Sequence, residues 1–116
     1  MKLLVDAGEV YLHRDAVDFR KSINGLVLIV EQEMALSPFA DALFVFCNKS
    51  HDKLKLVYWD RTGFCLWYKR LEKDRFKWPR HSEAPVLNLT EQQWQWLLSG
   101  YDIIGHEPVI YSCYGG

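Results

Sequence analysis

Apolar residues recur at two different spacings along this chain, and each spacing predicts a different kind of element. In residues 22–35 they follow the three-and-four spacing of a helix that buries one side. The positions that fit are Ile23, Leu26, Val27, Val30 and Met34. Pro38 ends such a helix, because the residue before a proline disfavours helical backbone. We therefore predict a helix over 22–35, with a strand over 26–30 as the alternative because β-branched residues cluster there.

Beyond residue 41 the apolar residues stand in short runs or alternate with polar ones, which is typical of β-strands. Turn-forming residues separate four such stretches, at 43–47, 54–59, 64–71 and 75–78. Gly63 closes the second turn, where we expect a positive φ. Pro79 ends the last stretch, because proline cannot donate a ladder hydrogen bond. The pattern predicts an antiparallel meander over 43–78.

Further elements flank the meander. Short apolar runs predict short strands at 10–13 and 86–89. Thr90 and Gln93 have the spacing of a capping box, and Gly100 stands where a glycine ends a helix, which together predict a helix over 91–99. We expect an α+β fold, a four- to five-stranded antiparallel meander sheet with two packed helices, in a single compact domain.

Length and composition limit the number of domains and the classes of protein to which this chain can belong. A chain of 116 residues, 49% of them apolar, fits one folded domain, which we place at 1–104. The tail 105–116 shows no periodicity, and we expect it to be poorly ordered. The three cysteines are odd in number and lack metal-ligand spacing, which indicates reduced thiols in a cytoplasmic protein. No apolar stretch approaches the roughly 20 residues of a membrane helix, and the first residues do not resemble a secretory signal.

The residue patterns of common catalytic and metal sites do not occur in the sequence. The four histidines are scattered and pair with none of the cysteines. No phosphate-binding glycine loop and no serine-nucleophile motif is present. Asp18, Asp60 and Glu72 would be the carboxylates of a two-metal site, but one residue near the helix and two turn residues explain them more simply. We predict no metal, no cofactor and no enzymatic activity.

Charge is segregated along the chain although the net charge is only −1. Residues 49–80 carry ten lysines and arginines against four acids, a net charge of +6. The remainder carries four basic residues against eleven acids, a net charge of −7. A basic segment of this kind favours an anionic partner.

The basic segment is also rich in aromatic residues. If both helices cover one side of the sheet, alternation leaves Lys55, Trp59, Trp67, Lys69 and Lys77 together near solvent. Lysines that neutralise phosphates and rings that stack on bases are typical of nucleic-acid binding. The candidate residues are Lys53, Lys55, Trp59, Arg61, Trp67, Lys69, Arg70, Arg75 and Lys77. The alternatives are cross-strand packing pairs beside a solvated face, or a protein-binding patch centred on Trp59 and Trp67.

Three segments resemble a known family. FVFCNKSHDKLKLVYWDRTGFCLWYKRLEKDRFKWP, VDFRKSINGL and LTEQQWQWLLSGYD are similar to the accessory protein encoded by the second open reading frame of the insertion-sequence sixty-six family, often called transposase B. The resemblance covers roughly residues 8–104. Besides candidates already named, its motif residues here are Asp18, Arg20, Lys21, Gly25, Gly63, Tyr68, Glu72, Phe76, Trp78 and Pro79. Asp74 stands where the family usually has glycine, and residues 48–51 replace an arginine-rich turn.

The resemblance implies a function. Members of that family are small proteins encoded beside a much larger transposase and are associated with transposition. The family has no catalytic residues to carry over, and DNA binding is a common supposition for it. We therefore expect a non-enzymatic accessory protein of DNA transposition that contacts DNA through the basic and aromatic sheet face. The alternative partners are the transposase, another protein of the element, or a second copy of this chain.

Overall fold

The computed structural model describes residues 8–100 and Ile103. The tail 105–116, the domain boundary at 104 and Cys113 lie outside the described residues. The elements in chain order are β1 (Glu9–His13), α1 (Ile23–Gln32), β2 (Ala42–Cys47), β3 (Lys53–Asp60), β4 (Gly63–Arg70), β5 (Val86–Leu89) and α2 (Glu91–Leu98). This element content confirms the predicted α+β fold in one domain.

The strands form one five-stranded sheet in the order β4-β3-β2-β1-β5. The hairpins β2–β3 and β3–β4 are antiparallel, as the meander predicts, and β5 pairs antiparallel with β1. The neighbours β1 and β2 are parallel, so the sheet is mixed. Parallel neighbours need a crossover between them, and the chain from β1 to β2 supplies it with α1.

The predicted fourth meander strand, residues 75–78, is not a strand. After β4 the chain leaves the sheet, and the Phe76 N–H donates to the carbonyl of His51 at 2.7 Å. The alternation of apolar and basic residues in this segment reflects a loop that buries two rings. The next strand is β5, which pairs at the opposite edge of the sheet.

The two helices cover opposite faces of the sheet, so the condition under which Lys55, Trp59, Trp67, Lys69 and Lys77 were grouped, both helices on one side, does not hold. On the face that we call the α1 face, Phe44 and Phe46 of β2 pack in one buried cluster with Leu26 and Val30 of α1. On the α2 face, a second cluster joins Leu43, Val45, Leu54 and Leu56 with Trp94 and Leu97 of α2. Every residue of β2 is buried, because its side chains alternate between these two clusters.

The helices begin and end near the predicted residues. α1 ends at Gln32, three residues early, where the Leu36 N–H donates to the Val30 carbonyl at 3.1 Å and Ala35 has a φ of 56°. α2 begins with the predicted capping box, in which the Gln93 N–H donates to Thr90 Oγ1 at 3.1 Å. Gly100 follows α2 with a φ of 92°, the conformation expected of a glycine that ends a helix.

The turn between β3 and β4 places its positive φ on a different residue from the one predicted. Arg61 has a φ of 56°, whereas Gly63 pairs with Asp60 as the first residue of β4. A Cβ added at Gly63 would meet no atom within 4 Å. The backbone therefore does not require glycine at position 63.

Candidate nucleic-acid interface

The register of the β3–β4 hairpin separates the residues that were expected to form one basic and aromatic surface. Lys55 pairs with Tyr68, and Trp59 pairs with Phe64, all four on the α1 face. Trp67 lies opposite Leu56 and Lys69 lies opposite Leu54, on the α2 face. The five residues Lys55, Trp59, Trp67, Lys69 and Lys77 therefore do not form one surface.

Both candidate tryptophans are half-buried in packing contacts. Trp59 contacts the rings of Phe39 and Phe64, each with centroids 5.0 Å away. Trp67 packs against the core cluster on the α2 face. Arg61 is exposed in the turn at the end of β3, away from the loop 48–52 at its start.

Lys55 is held by the protein itself. Its ammonium donates to the backbone carbonyls of Phe19 at 2.9 Å and Lys21 at 2.8 Å, and lies 4.8 Å from the centre of the Phe19 ring. Burial lowers the pKa of Lys55, and the charge of Asp18 opposes that shift. Its role is to fix the segment before α1 against the sheet.

Arg70 and Lys53 pair across β3 and β4 at the other end of the hairpin from Arg61. The Arg70 Nε donates to Glu72 Oε2 at 2.9 Å, and this hydrogen bond raises the pKa of Arg70. The Lys53 side chain forms no ion pair within the described part of the chain.

The loop that follows β4 is anchored by buried rings. Phe76 is 3% exposed and Trp78 is 7% exposed, and both pack in the α2-face cluster. The Trp78 Nε1 donates to the carbonyl of Arg14 at 2.8 Å, and Pro79 is buried beside it. These anchors explain why the basic side chains of the loop point to solvent.

The anchored loop forms an open cleft with the turn between β2 and β3. We call it the basic cleft; it has a volume of about 370 Å³ and is lined by His51, Arg75, Phe76, Lys77, Trp78, Arg80 and His81. Two of the sequence candidates, Arg75 and Lys77, lie in it. His51, Arg80 and His81 were not among the nucleic-acid candidates, because the predicted sheet ended before Pro79 and the turn 48–51 lacks the arginines that the resembling family has there. Arg80 follows the tryptophan–proline pair directly, which is the signal that would have found it.

The charges in the basic cleft are not neutralised by partners in the described residues. Arg75, Lys77 and Arg80 are exposed, and none belongs to an ion pair in residues 8–100. The imidazole of His51 stacks on the ring of Trp78, with centroids 6.3 Å apart and planes 14° from parallel. Burial, followed by the charges of Arg80 and Arg75, lowers the pKa of His51. The cleft is thus a basic surface whose guanidinium and ammonium groups form no ion pair in residues 8–100, although the Arg80 Nε donates to His81 Nε2 at 3.4 Å and the charge of Arg75 helps to lower the pKa of Asp52.

The motif residues before α1 are held in a tight local structure. The carboxylate of Asp18 accepts from the side chain of Arg20 at 2.6 Å and from its backbone N–H at 2.9 Å, and these bonds lower the pKa of Asp18 to about 2. A Cβ at Gly25 would lie 3.1 Å from the Cβ of Lys21, so glycine gives the Lys21 stem room on the helix.

The same residues also bear on metal sites, membrane spans and reactive thiols. In residues 8–100 and at Ile103, no group of three or more His, Cys, Asp or Glu side chains is arranged to hold a metal ion. No helix in the described part of the chain is long and apolar enough to span a membrane. Cys47 and Cys65 are free thiols, and burial raises the pKa of Cys47.

Comparison with known proteins identifies the family of this chain. The family model described as IS66 Orf2-like protein matches residues 8–107. The chain belongs to this family. Two similar proteins of Sinorhizobium fredii, both described as uncharacterised, are y4jC and y4hO. The first is 35% identical over 86 residues, covering 74% of this chain and 73% of y4jC. The second is 36% identical over 93 residues, covering 80% of each chain. No solved structure matches the chain.

Proposed function

We propose that this IS66 Orf2-like protein is a non-enzymatic accessory factor of DNA transposition that grips the DNA backbone with its basic cleft. Family membership supports a role in transposition of an IS66-type element. The observation that carries the DNA contact is the set of exposed cations Arg75, Lys77 and Arg80, which buried rings hold in place and no described acid pairs with. Such a protein acts in the bacterial cytoplasm, where the element's DNA lies.

The chemistry of the cleft favours phosphates over base edges. A guanidinium offers a planar fork of donors that matches two phosphate oxygens, and an ammonium adds a compact charge. Phe76 and Trp78 are buried, so these rings support the loop and do not stack on bases. Contacts of this kind position a protein on a duplex without reading its sequence. The acidic remainder of the chain, at −7, disfavours other orientations on DNA.

The absence of catalysis is part of the proposal. Cys47, the most buried thiol of the described residues, is held in its neutral form by burial. We expect the purified protein to neither cut nor join the element's end DNA in magnesium or manganese. Nicking that survives purification and is lost on replacing Asp60 or Glu72 would contradict this part of the proposal.

Salt dependence of duplex binding tests the proposed DNA contact. Three phosphate contacts predict that log K falls with log salt at a slope of about −3, since each contact releases roughly 0.9 counterion. Replacing Arg75, Lys77 and Arg80 together by glutamine should bring the slope close to zero while the melting temperature stays the same. Fluorescence anisotropy on a blunt duplex at several salt concentrations measures the slope, and thermal denaturation measures the melting temperature.

Arg61→Gln is the matched control for Arg75→Gln. Both arginines are exposed, but Arg61 lies in the β3–β4 turn, outside the cleft. Arg75→Gln should weaken duplex binding severalfold and reduce the slope by about one, whereas Arg61→Gln should do neither. Equal effects would show that net charge alone drives binding, and the cleft would lose its role.

A second candidate function is contact with a protein of the transposition machinery. Phe39 is 57% exposed and contacts Trp59 and Phe64, which gives an aromatic patch of the kind that anchors protein interfaces. Capture of the element's transposase should then be lost in Phe39→Ala but kept in Leu28→Ala, a change at a similarly exposed apolar residue. Sedimentation of the protein alone would reveal a second copy as the partner.

A further inference from the structure

A second concave surface lies on the α1 face, where the segment before α1 meets the hairpin. We call it the Tyr68 groove; it has a volume of about 430 Å³ and is lined by Phe19, Lys53, Lys55, Leu66 and Tyr68. Lys55 holds the two sides together, because its ammonium on β3 donates to the carbonyls of Phe19 and Lys21. The groove is therefore preformed by contacts within the chain.

The walls of the groove are aromatic and apolar. Tyr68 is 49% exposed, which makes it one of three large hydrophobic residues with that degree of exposure in the described chain. The ring of Phe19 lies beside it, with centroids 6.4 Å apart and planes at 55°. Leu66 is the next residue on the same face of β4. An exposed ring above an apolar floor is a surface on which a flat ring stacks.

The charges around the groove favour an anionic group at its rim. Lys53 contributes an ammonium that forms no ion pair in residues 8–100, whereas the ammonium of Lys55 already has two carbonyl acceptors. The acids near this part of the chain have other partners: Asp18 binds Arg20 and Glu72 binds Arg70. Asp52 accepts from Asn48 Nδ2 at 2.7 Å, and the charge of Lys53 also helps to lower the pKa of Asp52. A ligand that combines a flat ring with a neighbouring anion fits this arrangement.

We propose that the Tyr68 groove binds an unpaired nucleotide of DNA, with its base on Tyr68 and Leu66 and its phosphate on Lys53. The inference rests on the proposed function and narrows its substrate. His51 of the basic cleft and Lys53 of the groove are two residues apart, so both sites flank the turn 48–52 at one end of the sheet. The groove lies on the α1 face, whereas Phe76 and Trp78 of the cleft pack on the α2 face, so an unpaired end would have to pass the turn 48–52 to reach the groove from a duplex on the cleft. The substrate class is a DNA duplex that carries an unpaired end.

The test compares a blunt duplex with the same duplex carrying a short single-stranded overhang, by fluorescence anisotropy. We expect the overhang to tighten binding by about tenfold, the contribution of one stacked base. Tyr68→Ala and Lys53→Gln should each reduce this gain, while Tyr68→Phe, which keeps the ring, should retain it. Leu28→Ala is the matched control, because Leu28 is also 49% exposed and should change neither affinity.

The outcomes separate the inference from the proposed function. Equal affinity of the wild type for both duplexes, or a gain that survives Tyr68→Ala and Lys53→Gln, overturns the groove and leaves the basic cleft standing. A Tyr68-dependent gain combined with a blunt-duplex affinity that does not respond to replacement of Arg75, Lys77 and Arg80 supports the groove and overturns the cleft. Failure of every duplex to bind overturns both.

Discussion

Two lysines of β3 point to the same face of the sheet but differ in their hydrogen-bond partners. Lys53 and Lys55 both project to the α1 face, as alternation along β3 predicts. Only Lys55 meets the carbonyls of Phe19 and Lys21, which lie 36 and 34 residues upstream. Periodicity gives the face of a residue but not its distant partner, so the sequence grouped the two lysines as equal candidates for phosphate.

This difference predicts unequal effects on stability. Lys55→Met keeps most of the side-chain stem but removes two hydrogen bonds from a charged donor, which should lower the free energy of unfolding by about 1–3 kcal/mol. Lys53→Met should change it by no more than about 0.5 kcal/mol, as for other surface positions. Urea denaturation of both variants measures the difference. If the two variants lose the same stability, the ammonium of Lys55 does not anchor the segment before α1.

His51 predicts how stability responds to pH. Its pKa is lowered in the folded protein from the ordinary 6.5, mainly by burial. As the pH falls below about 6.5, the unfolded chain therefore binds protons that the folded chain does not, and stability is lost; at higher pH the contribution is fully present. His51→Asn should flatten this part of the stability curve, and asparagine tolerates the φ of 60° at this position. Urea denaturation between pH 5 and 8 would contradict this if both curves had the same slope.

At the scale of elements, the register of the β3–β4 hairpin can be read from the sequence, and it determines on which face of the sheet each side chain lies. A two-residue turn makes Asp60 and Gly63 partners, so each odd-numbered residue of β3 faces an even-numbered residue of β4. That pairing places Trp59 and Trp67 on opposite faces. The predicted common surface was wrong because alternation within one strand does not say which of its faces matches a face of the next strand. The register that the turn imposes supplies that match.

Basic and aromatic residues alternate in the loop after β4, although this loop forms no β-ladder with a strand. Phe76 and Trp78 point inward and Arg75 and Lys77 point outward, as in a strand, yet residues 75–78 pair with no strand. The alternation arises because two rings fill the α2-face core while the charged residues between them stay in water. A segment of four residues offers too few repeats to distinguish these cases from pattern alone.

This account of the loop predicts contrasting effects of adjacent substitutions. Trp78→Ala removes a buried ring and the bond from its Nε1 to the Arg14 carbonyl, and should lower the free energy of unfolding by about 3–5 kcal/mol. Lys77→Ala should leave it within about 0.5 kcal/mol but weaken duplex binding. Thermal melting and anisotropy on the same samples compare the two readouts. A well-folded Trp78→Ala variant with intact DNA affinity would contradict the anchoring role of the ring.

For the whole molecule, the sequence predicted the α+β class and the positions of both helices, but it missed the arrangement of layers. The strand β2, with the sequence ALFVFC, is apolar at every position, and a strand that reads this way is one buried on both faces. That feature already argued against helices on a single side. The parallel pairing of β1 with β2 was not visible, because it depends on where the chain returns after α1.

The two-sided burial of β2 predicts that the protein unfolds as one unit. Alternate residues of that strand belong to different clusters, so neither cluster can dissolve without exposing the strand that supports the other. Leu26 in α1 and Leu97 in α2 are both fully buried, one in each cluster. Replacing either by alanine should cost about 2–5 kcal/mol while leaving the slope of unfolding against urea unchanged. In a Trp59→Phe background, tryptophan fluorescence follows the α2 face, where Trp67, Trp78, Trp94 and Trp96 pack. Far-ultraviolet circular dichroism follows both helices, so coincident transitions in both variants are the expected result. If Leu26→Ala gave a separate early transition by circular dichroism while the fluorescence signal stayed native, α1 and its cluster would unfold independently, and the shared strand would not couple the two faces.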